Sequence, residues 1–265
     1  MERGFYHIMK YTQELCPILD KSELNRTTYS FVVQSRKAVQ AMRPGQFANL
    51  RVAGKTLRRP ISVCQFSREE GWIRFVFEIR GEGTAILSRL NAGDNLDILA
   101  PLGNGFPVDP SEKAVFVGGG IGVPPLLGAS QAYGENATVL LGFRNQRAMI
   151  LTDDFSRNGA DVRVATDDGS YGHHGFVTEL LAQRLEEAPC DAVYACGPTP
   201  MLRLVAAEAE KRGVRCYVSL EERMACGIGA CLGCACKTRR EDGSETFRHV
   251  CKNGPVFDSR EVIWE

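Results

Sequence analysis

The chain has 265 residues, 44% of them hydrophobic and 24% charged, enough for two medium domains or one large domain with an appendage. Its 32 basic residues balance 32 acidic ones, so no global field draws it to nucleic acid or to an anionic membrane surface, and partners must be recognised at local sites. The opening MERGFYHIMKYTQEL carries polar groups throughout and lacks the apolar core of a signal peptide; with no run of about 18 apolar residues elsewhere, a soluble cytoplasmic chain is expected.

From about Phe5 to Leu102 the pattern predicts strands. YSFVVQS and WIRFVFEIR are rich in β-branched and aromatic residues, LDILAPLG ends in turn formers, and GKTLRRP and RPGQF punctuate them. An antiparallel sheet or barrel is the economical reading. Within TLRRPISVCQF, Pro60 in an apparent strand argues for an edge or a bulge. Arg59 beside it offers a guanidinium fork for a pyrophosphate, and Ser62 offers a hydroxyl or amide to a flavin ring. In EIRGEGTAILSRL a strand turns through glycine into a helix, with Thr84 as the expected N-cap and the following amides as a second phosphate cradle. A surface arginine or an ordinary cap would explain either feature alone.

After Pro110 the texture changes. KAVFVGGGIGVPPLL, ATVLLGFRN, ADVRVATDDG and CDAVYACGPTPMLRLVAAEAEKRG are short apolar strands followed by glycine-bearing turns, several leading into helix-length segments. Buried parallel strands have this form, so a doubly wound α/β unit is predicted. Gly118, Gly119, Gly120 and Gly122 make a strand-to-helix turn suited to phosphate, although it is not a strict GxGxxG: the sixth position is Val123 counted from Gly118 and Pro125 counted from Gly120. Cys196, Gly197 and Pro198 fall at the carboxyl end of a later strand, where a polarizable thiol can lie against a nicotinamide ring. A ligand-free turn and a buried core cysteine are the plain alternatives. His173 and His174 read as a solvated loop rather than as an acid–base or metal pair. Arg144 is placed either for a 2′-phosphate or in solvent.

The last stretch, Glu221 to Glu265, has little apolar periodicity and holds five of the ten cysteines. A chain this long in a reducing compartment does not need a disulfide framework, which directs the cluster toward metal. Cys226, Cys231 and Cys234 form a CxxxxCxxC run, with Cys251 distant, the spacing of a plant-type [2Fe–2S] centre. The interleaved glycines allow the backbone angles and inward-pointing amides that such a loop requires. Structural zinc is the alternative, although its sites favour two short knuckles. Cys236, two residues beyond Cys234, is expected to stand aside. The predicted organisation is residues 1–107 as a flavin-binding antiparallel β-barrel, 108–220 as a nucleotide-binding parallel α/β domain and 221–265 as a small cluster-binding segment.

RPIS followed by GEGT, GGGIGVPPLL and CGPTPML resembles the ferredoxin-reductase superfamily, and MACGIGACLGCAC with HVCKNGPVF is similar to the electron-transfer subunits of type B dihydroorotate dehydrogenases. The resemblance covers nearly the whole chain. It implies FAD contacts at Arg59, Pro60, Ile61 and Ser62, a second set at Val76, Phe77 and Glu78, and pyrophosphate contacts at Gly83 and Thr84. It also implies [2Fe–2S] ligands at Cys226, Cys231, Cys234 and Cys251. Glu78, where arginine is common in the family, and the additional Cys236 are departures. The implied function links pyrimidine biosynthesis to NAD: an FMN-containing partner subunit oxidises dihydroorotate, and electrons pass through the cluster and FAD to NAD⁺, because flavin alone joins one-electron to two-electron chemistry. A heterotetramer of two copies of each subunit is implied. Nothing in the sequence supplies a general base or a dihydroorotate pocket. The alternatives are a reductase subunit of a hydrogenase, transhydrogenase-like or oxygenase complex, and a zinc-stabilised module that senses NAD(H) without turnover.

Overall fold

In the computed structural model, which describes residues 11–264, six antiparallel strands close into a barrel: β1 (Thr12–Asn25), β2 (Thr28–Gln34), β3 (Phe47–Leu50), β4 (Arg59–Ser67), β5 (Trp72–Glu78) and β6 (Asn95–Leu102). Their order around the barrel is β1-β2-β5-β4-β3-β6. The expected strand character of Phe5 to Lys10, and the reading of the first ten residues as no signal peptide, lie outside the described residues. Alternation places Phe31, Val33, Ile73, Phe75, Leu96 and Ile98 inside the barrel, where each large apolar side chain contributes about 1.5–3 kcal/mol of burial. Between β5 and β6, helix α1 (Glu82–Leu87) seals the barrel with Leu87.

β4 changes neighbours along its length. Arg59 to Ser62 pair with β3, whereas β5 is engaged only from Val63 onward, past an irregularity between Val63 and Gln65. Pro60 therefore occupies a half-edge next to a bulge, as its sequence context predicts, and the free side of residues 59–62 is left for another partner.

The second layer begins with β7 (Ala114–Gly119), α2 (Pro124–Ser130), β8 (Ala137–Phe143), α3 (Thr152–Ser156), β9 (Asp161–Thr166) and β10 (His173–His174). It continues with α4 (Val177–Glu187), β11 (Ala192–Cys196), α5 (Thr199–Lys211) and β12 (Arg215–Ser219). The tail adds β13 (Ala235–Arg239), β14 (Glu245–His249), α6 (Val250–Asn253) and β15 (Val256–Asp258). The sheet order is β10-β9-β8-β7-β11-β12-β15, parallel except for β15. β7 is buried along its whole length: Ala114 and Phe116 face one core while Val115 and Val117 face the other. This explains its uninterrupted apolar run. Pro124 and Pro125 open α2, where the missing N–H groups have no intrahelical partner to lose.

Two contacts lock the layers together. α2 lies against β4, so closely that a Cβ on Gly128 would sit 3.0 Å from the Cys64 carbonyl oxygen. Arg74 of β5 pairs with Asp154 of α3 at 2.8 Å, both half-buried. All ten cysteines are free thiols, and among the described residues no helix is long and apolar enough to cross a membrane.

Candidate functional site

The chain leaves β7 for β8 and β9 on one side and returns to β11 on the other, so the carboxyl ends of β7 and β11 flank a topological switch point, where open α/β sheets bind ligands. A cleft of about 2000 Å³ opens there and runs onto the half-edge of β4. It brings together Arg59, Pro60, Ile61, Ser62, Val76, Phe77, Glu78 and Thr84 from the barrel with Gly119, Gly120, Gly122, Cys196, Gly197 and Pro198 from the sheet.

Gly83 and Gly118 stand behind this surface. A Cβ on Gly118 would lie 2.8 Å from Val123 Cγ2, so this glycine serves strand–helix packing. A Cβ on Gly83 would collide with the Arg59 guanidinium. The two glycine turns of the sheet interlock: a Cβ on Gly122 would strike the Cys196 carbonyl and lie 2.6 Å from Gly197 Cα. The off-pattern GGGIG thus combines a turn with close packing.

Thr84 is not the N-cap, as the sequence suggested. Gly81 holds that position in extended backbone, and the Thr84 hydroxyl reaches back to accept from the Arg80 amide at 2.9 Å and the Gly81 amide at 3.3 Å. Threonine three residues into a helix can satisfy these orphan donors from inside.

Glu78 accepts from Arg80 Nε at 3.0 Å, and Arg80 Nη1 also lies 3.3 Å from Glu221. Arg80 therefore returns a cation to the corner of the cleft where Glu78 introduces an anion. Burial pushes the Cys196 thiol up to about 12, against a hydrogen bond with Ser219 that lowers it and with Glu221 adding to the rise. At neutral pH this thiol is a neutral, soft surface rather than a nucleophile. His173 Nε2 is 2.8 Å from Glu179 Oε2 at the start of α4, so the histidine pair secures a loop and stays out of the cleft lining. Sequence reasoning missed Arg80, Asp167, Glu221 and Met224, all of which line the cleft beside Arg144.

The cysteine segment folds against the barrel. Its four expected ligands fall into two neighbouring pairs, Cys226 beside Cys231 and Cys234 beside Cys251, close enough for Cys231 to shift the titration of Cys226 and Cys234 that of Cys251. Gly227 and Gly229 adopt φ of +70° and +81°, a region open to glycine, and the Gly229 amide donates to Cys251 Sγ at 3.2 Å. The Cys251 amide points at Cys234 Sγ at 3.5 Å. Burial raises the Cys226 thiol, but the Ile228 amide, the Cys231 thiol and the amides of Cys231 and Ala230 outweigh it and bring it down to about 6. Burial and the neighbouring Cys234 push Cys251 up to about 12.

Amides aimed at sulfur are what a thiolate-ligated cluster requires. Two neighbouring thiol pairs fit a two-iron centre, with two thiolates per iron. Cys236 in β13 packs against the apolar cluster that holds Cys234 and Cys251, with its Sγ 3.6 Å from the Arg248 carbonyl oxygen, and burial pushes its thiol up to about 11.

Comparisons with known proteins agree with this arrangement. Residues 221–263 match the model of the iron–sulfur cluster binding domain of dihydroorotate dehydrogenase B. The electron transfer subunit of dihydroorotate dehydrogenase B (NAD(+)) from Bacillus caldolyticus is 42% identical over 89% of this chain and 93% of the relative. That of Geobacillus thermodenitrificans is 40% identical over 95% and 98%. The structure is similar to that of an NADH-dependent reduced ferredoxin-NADP oxidoreductase, with a TM-score of 0.84 and 32% identity over 95% of this chain and 90% of the other. With a flavin-reductase fold, a paired-thiol segment and identity of this extent, the chain belongs to the family of dihydroorotate dehydrogenase B (NAD(+)) electron transfer subunits.

Proposed function

We propose that this chain is the reductase half of an NAD-linked dihydroorotate dehydrogenase of pyrimidine biosynthesis, dependent on an FMN-containing catalytic subunit in the cytoplasm, two copies of each forming a heterotetramer. The observation that carries the reading is the seating of the cysteine segment on the barrel, through the cluster of Phe47 and Leu102 with Cys234 and Cys251 and through the Asn49–Cys226 hydrogen bond, beside the β4 half-edge that opens into the cleft. A flavin held in the cleft would supply the exchange between one-electron chemistry with a [2Fe–2S] centre and two-electron hydride chemistry with NAD(H).

The residues divide this work. The free backbone edge of Arg59 to Ser62 offers hydrogen bonds to a flavin ring, and the Arg59 guanidinium, held beside Gly83, offers a charged donor to pyrophosphate. Val76 and Phe77 supply a packed apolar wall, with Phe77 held edge-on to Phe31 at 5.1 Å between ring centroids. Gly119, Gly120 and Gly122 let a nucleotide approach the backbone at the end of β7, and Cys196 to Pro198 shape the nicotinamide end of the cleft. Cys226, Cys231, Cys234 and Cys251 are the cluster ligands, with Cys236 outside the set. Dihydroorotate oxidation falls to the FMN-containing partner, a division of labour supported by the relatives being named electron transfer subunits. Iron and flavin analysis of the purified chain tests the assignment: about two irons and one FAD per chain are expected, and a colourless zinc protein would overturn it.

A further inference from the structure

We propose that Phe47 is the partition between the flavin cleft and the thiol site, a positioning residue that excludes water from the seam between them. Phe47 is 3% exposed. On one side it lines the cleft, paired across the ladder with Ser62 of the β4 half-edge. On the other it packs in a single apolar cluster with Leu102, Cys234, Val250, Cys251 and Phe257. One residue therefore belongs both to the cleft lining and to the apolar cluster that holds Cys234 and Cys251. Its place is tightly defined, since a Cβ on Gly103 would come within 3.0 Å of the ring.

The same strand also grips the other thiol pair. Asn49, two residues along β3, is 1% exposed, and its Nδ2 donates to the Cys226 carbonyl at 3.4 Å. A Cβ on Gly227 would overlap that amide. Asn49 Oδ1 is buried without a partner, an unusual arrangement for a buried amide. β3 is thus a spacer with Phe47 in the apolar cluster that holds Cys234 and Cys251 and Asn49 against the Cys226 end.

The consequence follows from charge. A four-thiolate [2Fe–2S] centre is anionic and gains a further negative charge on reduction. An apolar shell that keeps water away disfavours the reduced form and holds the potential low. Removing the ring leaves a cavity beside sulfur and backbone polar groups, roomy and polar enough to admit water.

The inference rests on the proposed function, and its test separates the two. The cluster midpoint potential is measured by reductive titration followed by electron paramagnetic resonance on the full chain and its Phe47→Ala, Phe47→Leu and Phe47→Met variants. Phe47→Ala is expected to shift the midpoint to more positive values and to release iron to a chelator several-fold faster. Phe47→Met, which refills the space with an apolar chain, is expected to return both toward wild type. If Phe47→Ala fails to hold iron, Phe47→Leu is expected to shift in the same direction by less. Iron-replete Ala or Leu variants with wild-type potential and chelation rate would overturn the partition. A wild-type chain without flavin or iron would overturn the proposed function instead.

Discussion

The guanidinium of Arg59 fills the space that a side chain on Gly83 would need: a Cβ built there would lie 2.8 Å from Nη2. The obstructing atoms are the far end of a flexible side chain, so Gly83→Ala should fold and displace Arg59. Because Arg59 is the proposed charged donor to FAD pyrophosphate, Arg59→Ala should weaken FAD retention roughly 10- to 100-fold, the equivalent of about 1.5–3 kcal/mol for charge-assisted hydrogen bonds. Gly83→Ala should fall between this variant and wild type. Flavin content after dialysis, read by absorbance, checks both; full retention in Arg59→Ala contradicts the assignment.

The two thiol pairs predict a sharp contrast. Cys231→Ser removes one member of the Cys226 pair and should abolish the cluster spectrum while leaving NADH-dependent flavin bleaching within a few-fold of wild type. Cys236→Ser, at a thiol turned toward Arg248, should keep its full iron content. Iron-to-protein ratios decide the matter, and equal losses in the two variants would show that the ligand set is drawn wrongly.

Gly122 meets backbone rather than a movable side chain. Gly122→Ala must therefore separate the β7 and β11 turns, at a cost of about 1–3 kcal/mol typical of overpacking. Since those turns shape the nicotinamide end of the cleft, KM for NADH should rise at least ten-fold while FAD content is unchanged. Steady-state reduction of an artificial acceptor reads the first quantity; an unchanged KM would remove this turn from the NADH site.

Buried thiols give the protein an alkaline limit. Burial pushes Cys64 and Cys216 from 9.0 up to about 12. A folded-state value above the unfolded one means stability that is complete below pH 9 and is lost as pH rises through 12, because the unfolded chain releases protons the native chain retains. Replacing Cys64 by Ala removes one such proton, so the stability difference between variant and wild type should shrink by about 1.4 kcal/mol per pH unit above pH 9. Denaturant unfolding at several pH values between 8 and about 11 checks the slope.

Much of the fold was legible because its signals are local. WIRFVFEIR and YSFVVQS alternate as half-buried barrel strands should, and AVFVGG is continuously apolar because both its faces are covered. Pro60 announced the half-edge on which the flavin reading depends. The short elements were not legible: β3 is FANL and β15 is VFD, too brief to show a period, and their pairing is set by the rest of the sheet. Thr84 was misplaced by three residues because threonine satisfies helix-terminal amides from either side of the cap.

The site residues divide in the same way. Cysteine spacing and glycine turns are written along the chain, whereas Phe47, Asn49, Arg80 and Glu221 acquire meaning only through space. Arg80 and Glu221 meet across 141 positions, a distance over which no motif speaks.

The most direct measurement is anaerobic, dihydroorotate-dependent reduction of NAD⁺ by this chain alone and after co-expression with the FMN-containing dehydrogenase of the same source. The account predicts no turnover by the chain alone and robust turnover by the pair, abolished by Cys231→Ser in this subunit. A pair that forms but stays inactive, while the chain alone still oxidises NADH with an artificial acceptor, would contradict the dihydroorotate assignment and leave a flavin reductase that serves another partner.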